Sequence, residues 1–305
     1  MTLRSYNKIH SNGFKTIESR ASTTELILLS KQVMVVHACT DTSFHGNPTG
    51  VLWCYSPPDS AVMSALAQHM SLPVIVTLEE SLPVLVTLDE NNTSKTFLIR
   101  WFTKTAELDL CGYGLMAASY MLFDRRGGLN NQLWFRSRCG MLLASRESGQ
   151  IVLDLPQFDS SSVDDVTASL VENVLNLDLL EVRRSTDDLI AVARSENYVT
   201  GFVPDFTEIE KLECRGIILT AQTSSKSLNT GYDFVLRFFA PRIAIFESQV
   251  CISAHCKLYS YWTAICQSQV LYAWQASTNG GRMKIEGQNG RVLITGRACK
   301  TIPGK

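Results

Sequence analysis

Short apolar runs bounded by turn residues recur along the chain, among them QVMVVHACT, GVLWCY, VIVTL, FLIRWF, IVLDL, LIAVA, GIILTA, FVLRFFA, RMKIEG and RVLITG. Runs of about four to eight such residues between Gly, Pro, Asn, Asp or Ser predict strands. Three segments have helical spacing instead. Residues 60–70, SAVMSALAQHM, follow Asp59 and place Val62, Leu66 and Met70 four apart on one face. Residues 112–124, GYGLMAASYMLFD, are apolar nearly all round, as a helix enclosed by a sheet must be. Residues 253–267, SAHCKLYSYWTAICQ, carry Ala254, Leu258, Trp262 and Ile265 at helical spacing. Many strands with two buried helices predict an α+β fold.

Two internal repeats add to this pattern. SLPVIVTLEE at 71–80 is followed at once by SLPVLVTLDE at 81–90. The alternation predicts a hairpin turning at Glu79-Glu80-Ser81, with one copy in the sheet and the other an added edge or lid strand. A longer echo links IRWFTKTAELDLCGYGLMAASY, from Ile99, with LRFFAPRIAIFESQVCISAHCKLYSY, from Leu236. Each has an Arg-aromatic-Phe strand, an excursion with an acidic residue, a cysteine and a buried helix. Arg100 and Cys111 are eleven residues apart, Arg237 and Cys251 fourteen. A duplicated unit of this size predicts two similar domains facing each other across a cleft, with each helix start pointing into it. The first turn of a helix has N–H groups without intrahelical partners, so Gly112-Tyr113-Gly114 and Ile252-Ser253-Ala254 are candidate anion or oxyanion cradles. The plainer reading of Gly112 and Gly114 is close helix packing.

Composition narrows the classes. The chain has 305 residues, 45% hydrophobic and 19% charged, enough for two ordinary domains. A net charge of −1 leaves no cationic excess for a nucleic-acid partner. Nine cysteines without a CxxC fit a reducing compartment and not a disulfide framework. No run approaches the roughly 18 apolar residues of a membrane span, and the first thirty residues lack a signal peptide's apolar core. The expectation is therefore a cytoplasmic protein with a small-molecule partner and no membrane or nucleic-acid partner; a homodimer stays open. The expected organisation is a loosely held extension over 1–23, domains over 24–130 and 131–290, and a final strand and tail over 291–305 returning to the N-terminal domain.

Four blocks, in order, resemble the phenazine biosynthesis-like (PhzF-type) isomerase family, relatives of diaminopimelate epimerase. They are VHACTDTSFHGNPTGVL at 36–52, IRWFTKTAELDLCGYGLMAAS at 99–119, FVLRFFAPRIAIFESQVCISAHCKLYSYW at 234–262 and QASTNGGRMKI at 275–285. The resemblance implies two pseudo-symmetric domains, each a curved mixed sheet wrapped round a central helix, with the active site between them. It implies proton movement within small metabolites and no metal or organic cofactor. The chain departs from the pattern at its reactive positions. Val74 stands where the family's acid/base Glu is expected, Tyr113 where it has His, Ser248 where it has Asp, Cys251-Ile252 where it has Thr-Gly, and Asn279, before Gly280-Gly281, where it has Arg.

Valine exchanges no proton and tyrosine titrates near 10, so a Glu-driven proton shift is not expected. Glu79 and Glu80 read as turn residues. The leading expectation is an isomerase or cyclase of specialised metabolism that folds a largely apolar substrate for a pericyclic, Diels–Alder-type closure. Tyr113, Ser253 and His255 would donate hydrogen bonds, and Val74 and Ile252 would line the pocket. Asn47, Gly112, Gly114, Ser248, Asn279 and Gly280 would contact substrate, although Asn47 and Asn279-Gly280-Gly281 read equally as turn residues and Tyr113 and His255 as core residues. A second reading is a residual acid/base isomerase of a small metabolite, or an epimerase that pairs Cys111 with Cys251 as helix-start thiols. A third is an inactive binding or scaffold protein.

Overall fold

The computed structural model describes residues 21–40, 46–56, 59–80, 96–125, 131–223 and 231–300. The second tandem copy, at 81–90, most of the N-terminal extension and the tail beyond 300 lie outside them. The strands form one continuous mixed sheet that wraps two central helices, Gly112–Arg125 and Ile252–Cys266.

The long echo is a repeated fold. In the N-terminal half, strand Asn47–Trp53 pairs in parallel with Val74–Glu80, which pairs antiparallel with Thr96–Phe102. A short strand, Glu107–Leu108, folds back on the last of these; the chain then runs through the central helix Gly112–Arg125 and returns as Gln132–Ser137, parallel to Thr96–Phe102. In the C-terminal half the same order recurs. Asp188–Ala193 is parallel to Gly216–Gln222, which is antiparallel to Phe234–Ala240. Ile245–Ser248 folds back, Ile252–Cys266 crosses over, and Val270–Gln275 returns parallel to Phe234–Ala240.

Side chains repeat as well. Arg100 offers Nε and Nη2 to the two carboxylate oxygens of Glu107 at 2.8 and 2.9 Å, and Arg237 does the same to Glu247 at 2.7 and 2.9 Å. Each guanidinium also lies over the phenylalanine two residues on, 4.8 Å from the Phe102 ring and 5.0 Å from the Phe239 ring. Such two-pronged pairs fix the fold-back strand in register as well as in charge. The halves are joined where Gln150–Pro156 pairs with Arg291–Gly296 and where Met34–Ala38 pairs with Ala298–Lys300.

Both central helices are buried because sheet surrounds them. Leu115, Met116, Ala117 and Ala118 are shut off completely in the first, as are Ala254, His255, Cys256 and Leu258 in the second. In the second, Trp262 stacks on Phe234 with ring centroids 5.4 Å apart. A fully buried side chain of this size contributes about 1.5–3 kcal/mol. Ile265, expected in the same stripe, is exposed, since the last turn emerges from the sheet. The outer helix Ser60–His69 is capped by the Asp59 carboxylate, which accepts from Ala61 and Val62 N–H. Its buried stripe is Met63, Leu66 and Ala67, with Val62 and Met70 at the rim.

Glu79 and Glu80, expected in a hairpin turn with Ser81, are strand residues, and Ser81 lies outside the described residues. The strand runs through Glu80, with Glu79 opposite Leu98 and Glu80 opposite Phe97. Its partner is the strand that begins at Thr96, so the first copy takes the place in the sheet.

Candidate active site between the two helix starts

Cys111 and Cys251 immediately precede the two central helices, and Gly112 and Ile252 begin them. The two starts abut. A Cβ added at Gly112 would fall 2.3 Å from Ile252 Cγ2, so glycine is required for the close approach and the gap between the helix starts is filled by an isoleucine side chain. Gly114 is held as closely on its other side, where a Cβ would fall 2.6 Å from the Trp101 ring. Val74 is completely buried in the same apolar cluster as Cys111, Tyr113, Cys251 and Ile252. Glu79, five residues further along the strand, lies on the opposite face and cannot substitute for a carboxylate at Val74.

The loop before the second helix is held by side-chain amides. Asn47 donates from Nδ2 to the Val250 carbonyl at 2.6 Å and accepts from the Val250 N–H at 3.4 Å, tying one half to the other. This two-handed bond, not an Asx turn, occupies the Asn47 amide. Gln275 is fully buried; it accepts from the Cys251 N–H at 2.6 Å and donates to the Ser248 carbonyl at 2.7 Å. Asn279 is exposed and takes part through its backbone, its N–H donating to Gln249 Oε1 at 2.7 Å. Gly280 turns so tightly that a Cβ would lie 1.9 Å from the Gln275 carbonyl oxygen. Asn279 and Gly280 are thus turn-builders, and Ser248 is buried with a hydroxyl that has no partner among the described residues.

The titratable groups differ in what burial does to them. Burial pushes the Cys111 thiol up to about 12 against smaller downward pulls from the Gly114 backbone, a hydrogen bond with Tyr113 and the Arg215 guanidinium. Cys251 is also raised, by burial, while Arg215 and a contact with Ser253 oppose it. Tyr113 is raised well above 10 by burial and by the neighbouring thiols. His255 does not supply the expected donor. Its Nδ1 lies 2.7 Å from the Cys251 carbonyl, which can only accept, so the proton sits on Nδ1 and Nε2 is an acceptor, buried without a partner among the described residues. Burial lowers this imidazole from its ordinary 6.5 to about 4, which keeps it neutral.

Sequence reasoning missed a charged cluster behind Ser253. Arg215 donates from Nε to Asp188 Oδ1 at 2.9 Å and from Nη2 to Asp188 Oδ2, and its Nη2 lies 3.4 Å from Ser253 Oγ. Lys257, on the second central helix, reaches Asp187 at 2.6 Å and Asp188 at 2.7 Å. Burial works against the charge on Asp187, but Arg215 and Lys257 hold its carboxyl far below the usual range. One signal was present: a lysine at the buried face of an otherwise apolar helix needs anions beside it. Among the described residues no group of three or more His, Cys, Asp or Glu side chains is arranged to hold a metal ion, and no helix is long and apolar enough to cross a membrane.

Comparison with known proteins fits this arrangement. The family model described as "phenazine biosynthesis-like protein" matches residues 36–304. The chain belongs to that family. An uncharacterized isomerase of Pseudomonas aeruginosa is 34% identical over 274 residues, which cover 88% of this chain and 96% of the relative. The mouse phenazine biosynthesis-like domain-containing protein 1 is 32% identical over 288 residues, covering 89% and 97%. The crystal structure of a PhzF-family phenazine biosynthesis protein from Enterococcus faecalis superposes with a TM-score of 0.75 at 28% identity, over 88% of this chain and 96% of that one. The fold is thus the two-domain, diaminopimelate epimerase-like α+β architecture of the PhzF-like isomerases.

Proposed function

We propose that this PhzF-like protein is an isomerase of a small metabolite that works by shaping its substrate and stabilising charge on one oxygen, without passing a proton through a carboxylate. Intramolecular pericyclic closure of a largely apolar precursor is the reaction class. The observation that supports it most is Val74, buried in the apolar cluster shared by both helix starts. Cys111 is pushed to about 12, Tyr113 is raised and His255 is held neutral. What remains is orientation, the holding of a flexible precursor in the conformer from which it closes. A well-aimed donor adds about 3–4 kcal/mol. Ser253 and Tyr113 are the donors in this scheme, while Val74 and Ile252 give the apolar wall.

A two-thiol proton transfer is the second reading, favoured by one observation: Arg215 opposes burial at both Cys111 and Cys251. Burial is the larger effect at each, which argues against a standing thiolate. Turnover in D2O separates the two. A pericyclic closure incorporates no solvent deuterium, and a product carrying deuterium at a carbon would sink it in favour of the thiols.

A further inference from the structure

Acidic side chains are unevenly spread along the chain. Residues 164–213 carry twelve Asp and Glu against four Arg and Lys, in a chain whose net charge is −1. Asp187 and Asp188 are taken by Arg215 and Lys257, and three of the four cations already face an acid of the same stretch: Arg183 faces Glu181, Arg194 faces Asp178 and Lys211 faces Glu208. The surplus is negative. It lies on the layer of helices outside the C-terminal half of the sheet, Asp165–Leu175, Glu196–Thr200 and Phe206–Ile209, which packs in a core cluster separate from that of the two central helices.

The outer side of that layer is not polar throughout. Helix Asp165–Leu175 has two apolar rows: Val171 and Leu175 are buried in the core cluster, and Val166, Leu170 and Val174, spaced by four, form the other. Val166 is 80% exposed and Leu170 about half exposed. The second row runs into a groove of about 310 Å³ between the end of this helix and the segment 197–205, lined by Val174 and Leu177 from the helix side and by Tyr198, Phe202 and Val203 from the other. Val203 is 86% exposed. Apolar residues scattered singly over a surface need no explanation, but a continuous row that opens into a groove and is rimmed by charge marks a contact surface.

We propose that this groove docks a basic amphipathic helix of a partner protein, an interaction independent of the reaction at the two helix starts. From Val166 to Val174 the row runs about 12 Å. With the groove beyond, it matches the apolar face of a helix of three or four turns, whose anchors recur at i, i+3, i+4 and i+7. Lysines or arginines flanking that face meet the acidic rim, where Asp165 stands beside Val166 and Asp205 lines the groove itself. The same field repels a nucleic acid or an anionic membrane. A small cation would leave the apolar row uncovered.

The test is fluorescence anisotropy of a labelled helical peptide of about 18 residues, five turns, added to the full chain at physiological salt. The peptide is made of leucine and lysine, with the leucines at i, i+3, i+4 and i+7. It is expected to bind ten-fold or more tightly than the same residues in scrambled order, and its glutamate-for-lysine counterpart is expected not to bind. Leu170→Ser/Val203→Ser should bring the helical peptide down to the level of the scrambled one. Should that pair disturb the circular dichroism spectrum, Val203→Ser alone, at the more exposed position, decides the matter. Equal binding of the helical and scrambled peptides or of the glutamate counterpart, binding of none, or an affinity untouched by the variants would overturn the docking site. Sedimentation velocity of the full chain checks the other occupant: a dimer that the double variant dissolves would assign the groove to a second copy and overturn the partner.

Discussion

In the N-terminal half, Pro73-Val74 leads into a strand whose Val74 sits opposite Thr49; in the C-terminal half, Arg215-Gly216 leads into the equivalent strand, and Gly216 sits opposite Asp188. The backbone plan is the same at both corners, and the side chains are not. One corner is an apolar plug with a buried threonine, the other an ion pair braced by Lys257. The central helices differ in the same sense. Counting from the cysteine before each, Tyr113 corresponds to Ser253, Leu115 to His255 and Ala117 to Lys257. Duplication thus explains the scaffold, held twice by the same Arg–Glu fork, while polarity at the cleft is concentrated in the C-terminal half.

The forks offer the sharpest way to break the comparison. Arg237 is 8% exposed and also donates to the carbonyls of Val199 and Phe202, so it pins a neighbouring helix as well as Glu247. Arg100 is more open; its further bond is to Ser60 Oγ at 2.8 Å, and Arg138 lies 3.2 Å from Glu107 as a second cation. Arg237→Ala is expected to cost about 3–5 kcal/mol, as when one partner of a buried pair is removed, and Arg100→Ala about 1–3 kcal/mol. Urea unfolding of the two variants measures the difference, and equal losses would mean that the halves are energetically as well as topologically equivalent.

The repeat and both buried helices could be read from the sequence because they rest on local spacing: GYGLMAASYMLFD has no polar face to show to water. The Arg-aromatic-Phe echo was visible for the same reason, each arginine having its phenylalanine two residues on. The Arg215–Asp188–Lys257 cluster was not, since it joins residues up to 69 positions apart through strand pairing. Alternation within VIVTL does not locate the end of its strand: Glu79 and Glu80 continue it opposite Leu98 and Phe97, and the second copy lies outside the described residues. Asn47 was read as a turn or substrate contact, but its amide is taken by Val250, about 200 residues away.

His255 gives a smaller effect that belongs to one half alone. The imidazole is lowered from 6.5 to about 4 by burial, so between those values the unfolded chain binds a proton that the folded chain excludes. Stability from this residue is fully present above pH 6.5 and is lost as pH falls toward 4, a difference of about 3 kcal/mol. His255→Leu, which makes the second helix match Leu115 of the first, should flatten the unfolding free energy measured between pH 4.5 and 7. A slope unchanged by that variant would move the pH dependence elsewhere.

The smallest effect tests the contact where the halves meet. Gly112 and Ile252 stand at matching places, and only one of the two can carry a side chain there: a Cβ at Gly112 would come within 2.5 Å of Ile252 Cβ as well as 2.3 Å of Cγ2. Gly112→Ala should therefore cost about 1–3 kcal/mol, the usual range for overpacking a filled core. Ile252→Gly loses more, as a buried side chain is removed, but it vacates the space the new methyl needs. In the double variant Gly112→Ala/Ile252→Gly the two changes should offset each other by at least about 1 kcal/mol relative to their sum, the coupling expected of residues in direct contact. Strict additivity would mean that the helix starts do not touch, and an open space would then separate the charged half from the apolar one.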